Sequence, residues 1–269
     1  MDIVLGAAEN DIAKRFAPAI QAAGAVFVDN SSAFRLDPDV PLVVPEINTE
    51  DAYTHKKGII ANPNCSTIIT LMALAPIARI SSIETIVAST YQAVSGAGAN
   101  GLTELEAQAQ AYPKGEPLTA NAFPHQILFN LLPRIGGIGE NGYSSEEMKL
   151  QNEGRKILHL PELRVTCTCV RVPVMRSHSI SATFTTKRPV SVEEARAAIA
   201  AAEGVQLVDN PNNDVYPMPL DTSDQDDVFV GRIRRDLVSE NGLTLWCCGD
   251  QIRKGAATNA VQIAELLVK

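Results

Sequence analysis

The sequence predicts an α/β fold, on two observations. The chain opens with a β-α-β pattern, and a second, sheet-rich region follows between roughly residues 66 and 248. In the opening, "DIVLG" and "AVFVD" are short apolar runs suited to buried parallel strands. The segment "NDIAKRFAPAIQAAG" between them has helical spacing, with Asn10 or Asp11 placed to cap it and Gly24 to stop it. "NSSAFRLDPDVPLVVPEIN" reads as a loop-rich stretch, and "GIIANPN" as a third strand ending in a turn. A helix then runs from Cys65 to Arg79, and "ETIVASTYQAVSG" is a strand entering the glycine-rich turn "SGAGANG". "LTELEAQAQAY" reads as a polar-faced helix, 112–142 as irregular chain, and "SSEEMKLQNEGRKIL" as a serine-capped amphipathic helix. The alternation in "RVTCTCVRVPV" and "SHSISATFTTK" predicts two strands, expected as antiparallel neighbours in a mixed sheet. "SVEEARAAIAAAEG" carries a capping box, Ser191 with Glu194, and a glycine stop. "LTLWCCGDQ" closes the sheet and "GAATNAVQIAELLVK" forms a terminal helix.

Composition excludes several classes of function. With 269 residues, 45% hydrophobic and 20% charged, the chain matches soluble globular proteins. Its net charge of −8 argues against nucleic acid or an anionic membrane as partner. There is no apolar run of about 18 residues and no signal-peptide pattern at the N-terminus. The five cysteines, at 65, 167, 169, 247 and 248, show neither a disulfide framework nor a zinc-type CxxC pair. A reducing cytoplasm is the compartment this implies. The opening β-α-β unit carries no G-x-G-x-x-G dinucleotide signature, and the glycine-rich "SGAGANG" lies well inside the chain.

The stretch "ANPNCST" places Cys65 where a turn becomes a helix. An isolated cysteine is ordinarily a small core residue. A helix N-terminus, however, favours a thiolate, and Asn64 can offer an amide donor to charge developing nearby. Both readings stand on spacing alone. His55, His125 and His159 read as structural or exposed; His178 is open between a sheet histidine and a catalytic one. Strand alternation puts Arg171 and His178 on opposite faces unless the backbone bends, and arginines nearby favour a neutral ring. Arg35, Lys149 and Arg171 can hold an anion, although each alone reads as a surface charge. Glu146 and Lys149 share a helix face, which is also the pattern of a surface ion pair.

Six blocks in order, "VFVDNSSAFR…DPDVPLVVPEIN", "NPNCST", "YQAVSGAGANG", "EEMKLQNEGRKIL", "VRVPVMRSHS" and "QIRKGAATNAVQIAELL", resemble the aspartate-β-semialdehyde dehydrogenase family over essentially the whole chain. The resemblance implies NADPH-dependent reductive dephosphorylation of L-aspartyl-4-phosphate, within lysine, threonine and methionine biosynthesis. By it Cys65 is the nucleophile that forms a thioacyl intermediate, His178 the acid–base group, and Gln92 the amide that orients substrate. Arg171 clamps the substrate carboxylate, Glu146 faces its amino group, and Lys149, Arg35 and Asn64 form the phosphate site. Ser95, Gly96, Ala97, Gly98 and Gln251 lie along the NADP nicotinamide.

The family begins with roughly sixty further residues that include a G-A-T-G-A-V-G-type phosphate turn, and this chain starts after them. Where many members have S-A-G-G-S, this one has "GAAEND". The resemblance therefore implies an incomplete Rossmann-like parallel-sheet domain, residues 1–64 with 249–269. An α+β catalytic and dimerisation domain with a mixed sheet, 65–248, completes the chain. It further implies a cytoplasmic homodimer or homotetramer acting on small molecules, with no metal. The alternative is an inactive truncated paralogue or fragment serving as a dimerising module. The related N-acetyl-glutamyl-phosphate reductases carry an N-P-G-C-Y turn that "NPNCST" does not match.

Overall fold

The computed structural model describes residues 2–268. In chain order its elements are β1 (Ile3–Gly6), α1 (Asn10–Ala22), β2 (Val26–Asp29), α2 (Pro45–Asn48), β3 (Ile59–Ala61), α3 (Cys65–Ala78), β4 (Ile83–Gln92) and α4 (Ala99–Ala111). There follow α5 (Ser145–Ile157), β5 (Arg164–Arg171), β6 (His178–Thr186), α6 (Val192–Ala200), β7 (Val205–Leu207), α7 (Pro219–Thr222), β8 (Val228–Arg235), β9 (Gly242–Gly249) and α8 (Thr258–Leu266).

The predicted opening forms a three-stranded parallel sheet in the order β1-β2-β3, with Ile3 opposite Val26 and Phe27 opposite Ile59. Asn10 begins α1 but does not cap it; its side-chain oxygen accepts the Ser32 N–H at 2.9 Å, tying the helix to the following loop. Helix α3 is buried from Ser66 to Ile77 and apolar nearly all round, as a helix enclosed by the six-stranded sheet, α5, α6 and the turn before α8 must be. It joins the two parts of the molecule in one core, with Phe27 and Ile59 in the same cluster as Ile180 and Leu245. Four turns of Leu, Ile and Ala with Asn64 as cap explain why it forms, and Pro76 falls near its end.

The second sheet has six strands in the order β5-β4-β6-β9-β8-β7. The expectation that 164–171 and 178–186 are neighbours is wrong, because β4 lies between them, parallel to β5 and antiparallel to β6. This correction places the ends of four strands side by side. Gln92 is opposite Arg171, Tyr91 opposite Ser179, and His178 opposite Gly249. Arg171 and His178 also sit on separate strands, since the chain turns through 172–177 with Ser177 at φ 70°. The opposite-face expectation therefore does not apply.

Helices α5 and α6 start in the capping boxes of Ser144 with Glu147 and Ser191 with Glu194. The glycine stop of α6, Gly204 at φ 69°, comes after the helix has ended at Ala200; a side chain there would strike Met72 Cε at 2.9 Å. Strand β8 went unread in the sequence: its pairing slips between Gly231 and Arg234, and Arg232 is left-handed at φ 54°. Among the described residues no helix is long and apolar enough to cross a membrane.

Candidate active site

The site is the meeting point of three element ends: the first turn of α3, one face of α5, and the ends of β4, β5, β6 and β9. Cys65 is the first residue of α3 and is half-buried. Asn64 holds the turn from every polar atom it has. Its Oδ1 accepts the N–H groups of Ser66 and Thr67 at 3.1 and 3.3 Å, and its Nδ2 donates to Glu146 Oε1 at 3.0 Å. Its amide donor, expected to serve a developing charge, is thus already engaged by a carboxylate.

Glu146 and Lys149 do share a face of α5, yet the face points inward. Their ion pair is 2.7 Å long, and the Glu146 side chain is only 10% exposed. Gln92, at the end of β4, also donates to Glu146, at 3.2 Å. Burial works against the Glu146 carboxylate, but the Lys149 charge and the donors from Lys149, Asn64 and Gln92 outweigh it and lower its pKa. Arg171 is buried beside the Phe123 ring, 6.0 Å from its centroid, and donates to the Ala93 carbonyl at 2.6 Å. Burial lowers its pKa within the always-charged range. Arg35, from the loop after β2, is buried with one guanidinium nitrogen 3.2 Å from Glu153.

Cys65 is not held as a thiolate. Burial first, and the Glu146 charge second, push its thiol up to about 11, against the pull of Lys149, Arg171 and Arg35. His178 is fully buried, and burial with the Arg171 charge pulls it down to about 3, so the ring is neutral as expected. Its Nδ1 accepts the Ala93 N–H at 3.1 Å. The neutral ring therefore carries its proton on Nε2, the nitrogen facing Gln92.

This has a pH signature. An unfolded histidine binds a proton below about pH 6.5, whereas the buried ring refuses it down to about pH 3. The stability that neutral His178 permits is complete above pH 6.5. It is lost as pH falls towards 3, at up to about 1.4 kcal/mol per pH unit. Urea unfolding of wild type and His178→Asn between pH 4 and 7 is expected to show the steeper decline in wild type. Parallel curves would contradict this assignment.

The glycine-rich turn Ser95–Gly98 borders the same pocket. A side chain on Gly96 would meet Arg171 Nη1 at 2.7 Å and His178 Cε1 at 3.1 Å, so only a bare backbone fits there. Gly98 is left-handed at φ 77° and opens α4 without a side-chain cap. Ser95 Oγ accepts from Gln251 Nε2, and Gln251 Oε1 accepts the Ser177 N–H at 3.0 Å. Exposed Gly96, Ala97 and Gly98, backed by the Ser95–Gln251 pair, form a surface of small residues beside His178 with room for a flat ring. Among the described residues no cluster of metal-ligating side chains occurs.

Every residue expected at the site from the sequence lies at this junction or on its border. Sequence reasoning missed Glu153, Lys156, Lys254 and Gly255. A side chain on Gly255 would come within 3.0 Å of Cys65 Cβ, so the turn before α8 packs directly on the cysteine. Residues 146, 149, 153 and 156 recur at helical spacing, and that signal could have found two of the four.

Residues 1–55 match the family model for the semialdehyde dehydrogenase NAD binding domain, and 74–254 the model for the semialdehyde dehydrogenase dimerisation domain. The aspartate-semialdehyde dehydrogenase of Aquifex aeolicus (strain VF5) is 53% identical over 271 residues, covering 100% of this chain and 80% of that protein. Aspartate semialdehyde dehydrogenase II from Vibrio cholerae, solved in complex with ASA, superposes with a TM-score of 0.97 at 43% identity, covering 100% of this chain and 80% of that one. The aspartate semialdehyde dehydrogenase solved with NADP from Candida albicans gives a TM-score of 0.76 at 27% identity, over 99% of this chain and 77% of that one.

Proposed function

The chain belongs to the aspartate-semialdehyde dehydrogenase family, and from that membership we propose that it reduces L-aspartyl-4-phosphate to L-aspartate 4-semialdehyde and phosphate, with NADPH and a thioacyl intermediate on Cys65. The observation that carries the reading is that Glu146, Lys149, Arg171 and Arg35 all act on Cys65, while Glu146 and Arg171 act also on the neutral ring of His178.

Each charged group of the substrate has a complement here. Arg171 suits the α-carboxylate, because a buried guanidinium offers a planar fork. Glu146 suits the α-ammonium, and accepting it would release Lys149 from its 2.7 Å pair towards the phosphate, beside Arg35 and Asn64. Gln92 orients the acyl group. The Cys65 sulfur bonds to the acyl carbon, the carbon–oxygen bond to phosphate breaks, and the thiol proton leaves with the phosphate. Bound against Gly96–Gly98 and Gln251, the nicotinamide of NADPH supplies hydride chemistry. His178 would donate a hydrogen bond from Nε2–H to the oxygen of the tetrahedral thiohemiacetal, the atom on which charge develops. As that oxygen returns to a carbonyl the carbon–sulfur bond breaks, the aldehyde leaves and the Cys65 sulfur regains a proton from water.

We also assign the chain to a homodimer or homotetramer. The dimerisation-domain match supports this, as does the outer face of the six-stranded sheet, where exposed Val87 shares a face of β4 with Tyr91 of the Tyr91–Trp246 ring pair.

The test is NADP reduction with aspartate semialdehyde, with and without inorganic phosphate. Phosphate-dependent turnover is expected. A folded protein that gives none would overturn the proposal.

A further inference from the structure

Helix α5 carries four charged residues on one face, and the two nearest its C-terminal end have no part in the function proposed above. Glu153 is 2% exposed. One of its oxygens lies 3.2 Å from Arg35 Nη1, and the other accepts the backbone N–H of Asn64 at 2.7 Å. Those two partners come from different elements, the loop after β2 and the turn that presents Cys65. One turn further on, Lys156 Nζ donates to the carbonyls of Arg35, Asp37 and Val40, at 2.9, 2.7 and 2.6 Å. The same helix thus grips the Arg35 loop by its backbone and the Arg35 guanidinium by its charge.

We propose that Glu153 is a positioning residue that sets the Arg35 guanidinium against the cysteine turn, and so determines how tightly the site holds phosphate. This rests on the phosphate role assigned to Arg35 above. The guanidinium has two anchored nitrogens, Nη1 on Glu153 and Nη2 on the Asn30 carbonyl at 2.9 Å, while Nε is buried without a partner. Its direction is therefore fixed by two acceptors, of which only Glu153 is charged. A carboxylate with one oxygen on each partner fixes the separation of the two, since its oxygens are rigidly spaced. An amide cannot replace it. Glutamine would turn a donor towards either Arg35 or the Asn64 N–H, and both are already donors.

Two measurements on the full chain test this. In the phosphate-dependent assay, Glu153→Gln is expected to raise KM for phosphate about tenfold and leave KM for aspartate semialdehyde within about twofold. Without turnover, alkylation of Cys65 by iodoacetamide is expected to be slowed by inorganic phosphate in wild type. Glu153→Gln should need about ten times more phosphate for the same protection. Glu153→Asp keeps the charge one methylene short, and is expected to restore most of the loss; it also serves should the glutamine variant not fold. Equal shifts in both KM values, or protection unchanged in a folded variant, would overturn the inference alone. A wild type that phosphate neither protects nor drives to turnover would overturn the phosphate-site reading and the inference with it.

Discussion

Cys65→Ser is expected to leave a folded protein whose turnover is lower by about ten-thousandfold or more. The fold should survive, because serine nearly matches cysteine in size and the residue is half-buried against Gly255. The chemistry should not, because the site does little to ionise a resting nucleophile. Burial and Glu146 already push the thiol up to about 11, so activation must come with the substrate, whose ammonium takes up the Glu146 charge and whose departing phosphate can accept the thiol proton. A thiol can be reached by that change in field. A hydroxyl starts several units higher in the same dry environment and stays protonated. Rates of NADP reduction, with thermal melts on the same samples, decide the matter. Residual activity within about a hundredfold of wild type would show that Cys65 is not the nucleophile.

The parts of the fold that the sequence discloses are those with local causes. The parallel opening is legible in "DIVLG", "AVFVD" and "GIIAN", since strands of a parallel sheet read as apolar runs, although β1, at the sheet edge, is not the buried strand expected and leaves Leu5 half exposed. The starts of α5 and α6 are legible because a serine and a glutamate three residues apart satisfy each other. Strand order is not local. Nothing in 164–186 shows that residues 83–92 will slide between β5 and β6, so the antiparallel pairing expected there fails, and with it the supposed opposition of Arg171 and His178.

The site divides in the same way. Cys65 and His178 stand out by residue type and by their place at element ends. Glu153, Lys156 and Lys254 do not, because a charge in an amphipathic helix or a turn reads as solvated until the tertiary structure shows what covers it. For Arg35 and Glu146 the resemblance supplied what residue chemistry alone left as surface charge.

Lys254 shows what such a hidden charge does. Lys254→Met is expected to destabilise the protein by about 3–5 kcal/mol, lowering Tm by roughly 10 °C for a chain of this size. The ammonium is 1% exposed, and its three protons go to Glu46, Asn259 and Gln262 at 2.6, 2.9 and 2.7 Å. Burial lowers its pKa and the Glu46 charge opposes that, so the pair is held by mutual need. Methionine fills nearly the same volume, so the loss is electrostatic, with no cavity to blame. Glu46, with a side chain 10% exposed, is left without a cation, and two amide oxygens lose a donor. The damage should also reach the catalytic turn. Asn259 donates to Asn62, Asn62 donates to the Ala256 carbonyl, and Gly255 between them packs on Cys65. Adding Glu46→Gln to Lys254→Met removes the stranded charge, and should recover a third or more of the lost stability. A single variant that melts within about 3 °C of wild type would show that the buried ion pair is dispensable, and that packing alone holds α8 against the cysteine turn.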